Sequence, residues 1–532
     1  MSPTRPRVTA LASLAATILV IALAATGCGD NGGDRANGQD SGSSGGSGAD
    51  SSNGNGGKNG SPAPKLSWKT CDAPTAAQGA GKAPGKAWQC AKLPVPLDHS
   101  KPDGAKIDLA LIRSKATDPS HRIGSLVFNF GGPGASGVSA LPSLADGYDT
   151  LHARYDLVSF DPRGVGESAG VRCQSDKELD AAYQVDGTPD DDAELRQTLA
   201  ANKAFVDACA KNSGKVLPYV DTISAARDLD RIRAALGESR LHYFGISYGT
   251  ELGGVYAHLF PKNVGRTVLD AVVDPTQDTV QGDLGQTKGF QLALDDYLKD
   301  CASAGAAGSG GRCPTLDEIT TLLKDLDSRP LPTSQGRKLT QDEATNGIAT
   351  ALYSKDTWKY LTAGLQEARV KGTGNTLLLL FDSMAGRAPD GRYNNLQAAN
   401  RAISCADSEE RYGVEDVRRL LPEFKAASPV FGESAAWSLL SCTGWPVKGK
   451  WKTPEVGAEG AAPILVVGNA GDPATPVAGA ANMAEKLGKG VGVRLTVKGE
   501  GHGTYGVDAC ATKTMDAAFL DGRLPADGTT CS

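Results

Sequence analysis

A serine between two glycines, at the end of an apolar run, is the first feature of this chain that could do chemistry. Leu241-His242-Tyr243-Phe244 leads into Gly245-Ile246-Ser247-Tyr248-Gly249, and residues 251–260 read as a helix rich in small residues. Gly-x-Ser-x-Gly at a strand-to-helix junction is the nucleophile-elbow spacing, in which a sharp turn lifts the serine hydroxyl clear of its neighbours. Gly245 and Gly249 lack side chains, so strand and helix can close around Ser247. The N–H of Tyr248 opens the helix, where unpaired donors favour developing negative charge. The chemistry implied is acyl transfer. Glycine is abundant in the chain, so the motif alone also fits a glycine-rich turn with a bystander serine.

Serine is a weak nucleophile and needs a base, which in turn needs an orienting acid. Asp472 follows the apolar run 464–467, and His502 follows the run 493–497 inside Gly499-Glu500-Gly501-His502-Gly503. Of the chain's six histidines, only His502 lies in a glycine-rich turn beyond a strand near the C-terminus. Taken singly, Asp472 is an ordinary Asp-Pro turn residue and His502 a surface loop histidine; Asp270 and Asp274 also end a strand. Taken together, the order Ser, Asp, His beyond three strands of one sheet gives a nucleophile, acid and base. The oxyanion of such a reaction needs two preorganised donors. Tyr248 N–H is one. The other is expected from Gly131-Gly132-Pro133-Gly134, and because Pro133 has no N–H, Gly132 is preferred over Gly134. Thr475-Pro476 reads first as a helix cap with proline at the first helical position, and second as a brace for Asp472.

The elements that would position these residues follow from hydrophobic pattern. Residues 93–98 and 107–112 read as early strands, the second as part of an edge hairpin. Residues 125–130 and 155–160 are short buried-strand patterns, and the region 174–217 is helical in tone. Thr222 is placed as the cap of a helix with Ile223, Ala226, Leu229, Ile232 and Leu236 on one face, stopped at Gly237. Residues 266–273 form another buried strand. Strands alternating with helices from 125 to 273 predict a parallel α/β sheet. From 276 to about 455 the pattern turns helical, and it returns to α/β from 456 to 532, with 493–497 read as the final strand. The middle stretch is therefore read as a helical lid inserted into a core of 65–275 and 456–532.

Composition bounds the setting. The 532 residues carry a net charge of -6, and no basic block follows the N-terminus, which argues against nucleic acid as a partner. Arg5 and Arg7, then a run of Ala, Leu, Ile and Val, then Ala25-Thr26-Gly27-Cys28, form a secretory signal layout over residues 1–28. The small residues before Cys28 resemble a bacterial lipobox, with Ala25 where leucine is usual. That resemblance implies a lipid anchor at Cys28 to the cell membrane; plain secretion and a retained membrane helix stay open. Residues 29–64 are Gly, Ser, Asn and Asp with almost nothing apolar, a flexible tether. Of eleven cysteines, removing Cys28 leaves ten, an even number suited to an oxidising compartment. Sequential pairing is expected: Cys71–Cys90, Cys173–Cys209, Cys301–Cys313, Cys405–Cys442 and Cys510–Cys531. No C-x-x-C or H-E-x-x-H spacing supports a metal site, and the chemistry needs no cofactor.

Gly131-Gly-Pro-Gly134, Asp161-Pro-Arg-Gly164, Gly245-Ile-Ser-Tyr-Gly249, Gly471-Asp472 and Gly501-His502-Gly503 together resemble the proline iminopeptidase and tripeptidyl aminopeptidase family of α/β-hydrolases, over residues 66–532 and most closely its secreted or lipid-anchored tripeptidyl aminopeptidase-like branch. Asn129-Phe130 precedes the glycine run where many iminopeptidases have histidine, a departure from the proline-specific enzymes. The resemblance implies an α/β-hydrolase fold and a serine exopeptidase releasing tripeptides or single residues from free N-termini; an esterase on the same scaffold is the alternative. Such an enzyme must bind an ammonium group, for which carboxylates in the stretch 405–410, Asp407 and Glu409, are candidates. A solvated acidic helix start fits them equally.

Overall fold

The structure is a computed structural model that describes residues 65–308 and 312–532; the expected signal segment, Cys28 and the tether lie outside the described residues. The N-terminal part supplies β1 (Lys69–Thr70), β2 (Trp88–Pro96), β3 (Lys106–Ser114), β4 (Gly124–Asn129), β5 (Tyr155–Phe160), β6 (Leu241–Ile246) and β7 (Val264–Asp270). A two-stranded hairpin, β8 (Leu331–Pro332) with β9 (Lys338–Leu339), lies in the helical stretch that follows. The C-terminal part adds β10 (Ile464–Gly471), β11 (Gly492–Glu500) and β12 (Thr529–Cys531). Ten strands form one sheet in the order β1-β2-β3-β5-β4-β6-β7-β10-β11-β12. From β5 to β12 all neighbours are parallel; β1, β2 and β3 add an antiparallel edge.

Every residue of β4 and of β5 is buried, and β10 is buried except at Ala470. Helices on both faces of a parallel sheet require such continuous apolar runs, which is why these strands read clearly in the sequence. One face packs Leu229, Ile232, Leu252, Val255, Met483 and Leu487 from the helices Thr222–Ala235, Tyr248–Leu259 and Ala478–Leu487. The other packs Val138, Leu141, Met515 and Phe519 from the helices Gly137–Leu144 and Ala509–Leu520. Each such side chain contributes about 1.5–3 kcal/mol when fully buried.

The pair β2 and β3 does form an antiparallel hairpin at the sheet's edge, where the two-residue β1 covers only Gln89 and Cys90 of β2. Two expectations need correction. The last strand is β12, not 493–497; it is three residues long and carries no apolar alternation to reveal it. The cap before the helix Thr222–Ala235 is Asp221, whose carboxylate accepts Ser224 N–H at 3.0 Å; Thr222 is the first helical residue.

Between the adjacent strands β7 and β10 the chain passes through eight helices among the described residues: Thr279–Gly308, Leu316–Ser328, Gln341–Leu352, Trp358–Gln366, Asn375–Ala385, Leu396–Asp407, Val414–Ala427 and Gly432–Ser438. Capping boxes at Thr315 with Glu318 and at Thr340 with Glu343 start two of them. This insert has its own apolar centre, including Leu294, Tyr297, Ile319, Leu323, Leu361 and Leu377. Five disulfides join Cys71–Cys90, Cys173–Cys209, Cys301–Cys313, Cys405–Cys442 and Cys510–Cys531, each closing a local loop of 12 to 37 residues. Disulfides in this number point to an extracytoplasmic location. Among the described residues no helix is long and apolar enough to cross a membrane.

Candidate active site

Ser247 follows β6 directly and precedes the helix Tyr248–Leu259 with φ 58° and ψ -129°. Only a turn that sterics leave no alternative holds a serine there, at a cost of order 1–3 kcal/mol. The surrounding glycines show why. A Cβ on Gly245 would stand 2.3 Å from Gly249 O, one on Gly249 2.5 Å from Asn129 O, and one on Gly131 2.6 Å from Ile246 O and 2.8 Å from Ser247 Cβ. The turn is fastened by Ser247 N–H to Asp270 O at 3.1 Å and by Thr250 N–H and Oγ1 to Ser247 O at 2.8 and 2.7 Å.

The Gly131-Gly132-Pro133-Gly134 loop lies against this turn. Gly131 N–H donates to Asn129 Oδ1 at 3.0 Å, and a Cβ on Gly131 would also come within 3.1 Å of Tyr248 N. Asn129, buried at the end of β4, thus holds the glycine run, a role the sequence reading did not give it. Asp161, fully buried, accepts from Ser136 Oγ at 2.6 Å, Val138 N at 3.2 Å, Gln78 Nε2 at 2.9 Å and Glu167 N at 3.1 Å, tying the helix after the glycine loop to the Asp161-Pro-Arg-Gly164 turn. Arg163, also fully buried, makes a two-pronged bond to Asp228 at 2.6 and 2.7 Å. That motif is therefore architectural.

His502 and Asp472 meet. His502 Nδ1 lies 2.9 Å from Asp472 Oδ1 and 3.0 Å from Oδ2. Asp472 is itself oriented by Ala474 N and Thr475 N, each 2.9 Å from Oδ1, and by Thr475 Oγ1, 2.8 Å from Oδ2. The hydroxyl of Thr475 thus braces the acid. The expected cap is overturned, because the helix Ala478–Leu487 is preceded by Val477 and has no side-chain cap. Burial of the imidazole pulls its pKa down, but the Asp472 carboxylate, and then that of Asp270, outweigh burial and leave it above the ordinary value. With Nδ1 committed to the carboxylate, Nε2 is the nitrogen left to exchange a proton.

The histidine loop is held from several sides. Asn469 of β10 donates to Gly501 O at 2.8 Å and accepts Gly499 N–H at 2.9 Å. The insert contributes Tyr353, whose carbonyl accepts His502 N–H at 2.8 Å and whose ring stands edge-on to the imidazole at 5.3 Å. Phe290 lies against Tyr353, and Phe431 against Phe290. The insert also reaches the other parts of the site. Gln286 Nε2 donates to Ala474 O at 3.0 Å, and Asn400 Nδ2 to Pro133 O at 3.1 Å. None of these insert residues has a motif around it, so sequence offered no signal for them.

Asp407 is buried at the end of the helix Leu396–Asp407. It accepts from Thr222 N at 2.8 Å and Thr222 Oγ1 at 2.7 Å, and that hydroxyl lies 2.6 Å from Tyr248 Oη. Burial holds the Asp407 carboxyl well above the usual range, and the charge of Glu251 adds to it; burial likewise pushes Glu251, in the first turn after Ser247, up to about 7. Glu409 is exposed, with its N–H on Trp451 O. One group of three potential metal ligands occurs among the described residues, Asp508 with Cys510 and Cys531, and the disulfide between the cysteines leaves no thiolate for an ion.

A mostly parallel sheet split by a helical insert, with a serine on a strained turn at the end of a central strand, defines an α/β-hydrolase of the serine type. The chain is 38% identical over 474 residues to the serine protease Hip1 of Mycobacterium tuberculosis, covering 85% of this chain and 88% of that protein. It is 33% identical over 457 residues to the tripeptidyl aminopeptidase of Streptomyces lividans, covering 84% and 83%, and 34% identical over 486 residues to a Mycobacterium tuberculosis protein named carboxylesterase B, covering 88% and 90%. The profile described as TAP-like protein matches residues 428–531. The chain belongs to the TAP-like family of α/β-hydrolases and is a serine hydrolase.

Proposed function

We propose that this protein is an extracytoplasmic serine exopeptidase that releases short peptides, tripeptides foremost, from free N-termini through an acyl-enzyme. The observation that carries the reading is the 2.9 Å contact of His502 Nδ1 with Asp472, on two loops beyond the sheet that also presents Ser247. In the mechanism, His502 Nε2 takes the Ser247 proton as Oγ attacks the peptide carbonyl. Asp472 holds the imidazole and stabilises its charged form. The N–H groups of Gly132 and Tyr248 bind the oxyanion. The tetrahedral intermediate collapses as His502 returns the proton to the leaving amine. Water, deprotonated in the same way, then frees the acyl peptide and restores Ser247.

The insert acts as a lid, and its residues near the site set the length and end of the substrate. Of the two ammonium candidates, Asp407 is buried with both oxygens on Thr222, so Glu409, which faces solvent, is the one left open to a substrate ammonium. Anchoring through a lipidated Cys28 completes the reading. The relative named carboxylesterase B supports a second reading, hydrolysis of small esters.

Mass spectrometry of products from a mixture of peptides with free and acetylated N-termini separates these. Short N-terminal fragments from free peptides alone are expected. Rapid ester turnover with both peptide sets intact would overturn the peptidase reading in favour of the esterase. Cys28→Ser is expected to release the protein from membranes; unchanged retention would contradict lipidation.

A further inference from the structure

Asp270 ends β7, the strand between the serine strand and the acid strand: it pairs with Ile246 of β6 on one side and Val467 of β10 on the other. Its two functional groups face opposite parts of the site. The main-chain carbonyl accepts Ser247 N–H at 3.1 Å. The carboxylate accepts Thr504 N–H at 2.8 Å, Thr504 Oγ1–H at 2.9 Å and Tyr505 N–H at 3.1 Å, all from the loop that carries His502. One residue therefore joins the nucleophile turn to the base loop, without touching either reacting atom.

The carboxylate is fully buried and makes no salt bridge among the described residues. A buried anion without a cation is costly unless hydrogen bonds replace its hydration. Two of its three bonding partners are main-chain N–H groups on one carboxylate oxygen, which only donate; the third, the Thr504 hydroxyl on the other oxygen, can donate to an ionised acid or accept from a protonated one. The titratable groups that interact with it are Asp472 from the turn after β10, Tyr148 at the end of the short helix Ala145–Tyr148, and His502 itself. Burial raises the Asp270 pKa, the three bonds oppose that, and Asp472 adds to the rise. Tyr148 Oη is buried with no hydrogen-bond partner. The structure spends a buried carboxylate where a neutral acceptor would satisfy the same loop.

We propose that Asp270 is a positioning residue that sets the histidine loop in register with the nucleophile turn and, by its negative charge, favours the protonated His502 formed in the transition state. The inference rests on the assignment of Ser247 and His502 above. It separates two duties, geometry and charge, that different substitutions divide. Asparagine keeps the size and can keep the bonds, with its Oδ1 accepting the two N–H groups and its Nδ2 donating to Thr504 Oγ1, but it removes the charge. Glutamate keeps the charge but shifts it by a methylene in a packed site.

The test is the pH dependence of the rate at which a fluorophosphonate labels the folded full chain, which needs no knowledge of the substrate. Wild type should label and Ser247→Ala should not; any other result overturns the nucleophile assignment, and this inference with it. Asp270→Asn should label about three- to tenfold more slowly, with its acid limb moved about half a unit to one unit toward lower pH, because a neighbouring anion no longer favours the imidazolium. Asp270→Glu should also be slow, with its acid limb within about 0.3 units of wild type, well inside the shift a lost neighbouring charge produces. A limb that stays in place in Asp270→Asn, while Ser247→Ala remains unlabelled, overturns the charge role alone. A wild-type rate in Asp270→Glu overturns the positioning role. Should Asp270→Asn fail to fold, Thr504→Val removes one bond and keeps the charge; a severalfold slower rate with the limb unmoved supports positioning, and a wild-type rate overturns it.

Discussion

Ser247 is held by backbone sterics, whereas His502 is held by hydrogen bonds drawn from separate parts of the chain. At the serine, three glycines stand where any Cβ would collide with main-chain or Cβ atoms within 2.8 Å, and the residue is forced to φ 58°. At the histidine, Asp472, Asn469, Asp270 and Tyr353 each supply a partner, from β7, from β10 and its following turn, and from the insert. The first arrangement is short-range and rigid, because its atoms are covalent neighbours or adjacent strands. The second is assembled from separate segments, some about thirty residues and one more than two hundred residues from the loop, and can be loosened one bond at a time. The comparison predicts that damage on the serine side is abrupt and that on the histidine side, apart from the acid Asp472 itself, it is graded.

The sharpest way to test it is at the acid. Asp472→Asn should lower kcat by about 10⁴-fold with the fold intact, because the wrong imidazole tautomer is favoured; a loss below tenfold, read from kcat and the melting curve together, would mean another residue orients His502. Next is Gly249→Ala, whose Cβ would stand 2.5 Å from the Asn129 carbonyl. Strain of about 1–3 kcal/mol should appear as a lower melting temperature together with lost fluorophosphonate labelling. A variant that melts normally and labels normally would break the steric account.

Graded effects are expected on the other side. Thr475→Val removes a bond to a charged acceptor and should slow kcat about tenfold, with KM little changed. Tyr353→Ala keeps the carbonyl that holds His502 but removes the ring beside it, so the loss in kcat should stay below about tenfold, since only shielding from water is given up. If Tyr353→Ala were as damaging as Asp472→Asn, the graded picture would fail. The pH profile gives the smallest signal. His502 must be neutral to accept the serine proton, and its folded pKa is raised, so kcat/KM should fall as pH drops through a midpoint above about 6.5. A midpoint below that value would mean that burial, not the two carboxylates, dominates the imidazole.

The central parallel strands were legible because each carries a short, mostly apolar stretch that ends at a turn signal, as in residues 464–467 before Asp472. The nucleophile turn was legible because its constraint is local: Gly245 and Gly249 stand two residues either side of Ser247. The short strands β1 and β12 were not legible, since two or three residues carry no periodicity and owe their conformation to the strand they pair with. Thr475 misled for a related reason. A threonine before a proline suits a helix start, and its hydroxyl was claimed instead by Asp472, only three residues away but oriented by a turn that the sequence does not display.

Asp270, Asn469 and Tyr353 show where a chain read in order runs out. Each is an unremarkable residue in its own segment, and each acquires a role only when β7, β10 and the insert are brought beside the loop of His502. The sequence by itself determined the α/β alternation, the Gly-x-Ser-x-Gly spacing around Ser247 and the order of serine, acid and histidine, because those are read from residues a few positions apart. The tertiary structure alone decided which carboxylates surround the imidazole, which insert residues close over it, and that Asp407 lies beside Tyr248. Those contacts join residues far apart in the chain, and no local pattern encodes a distance that only folding creates.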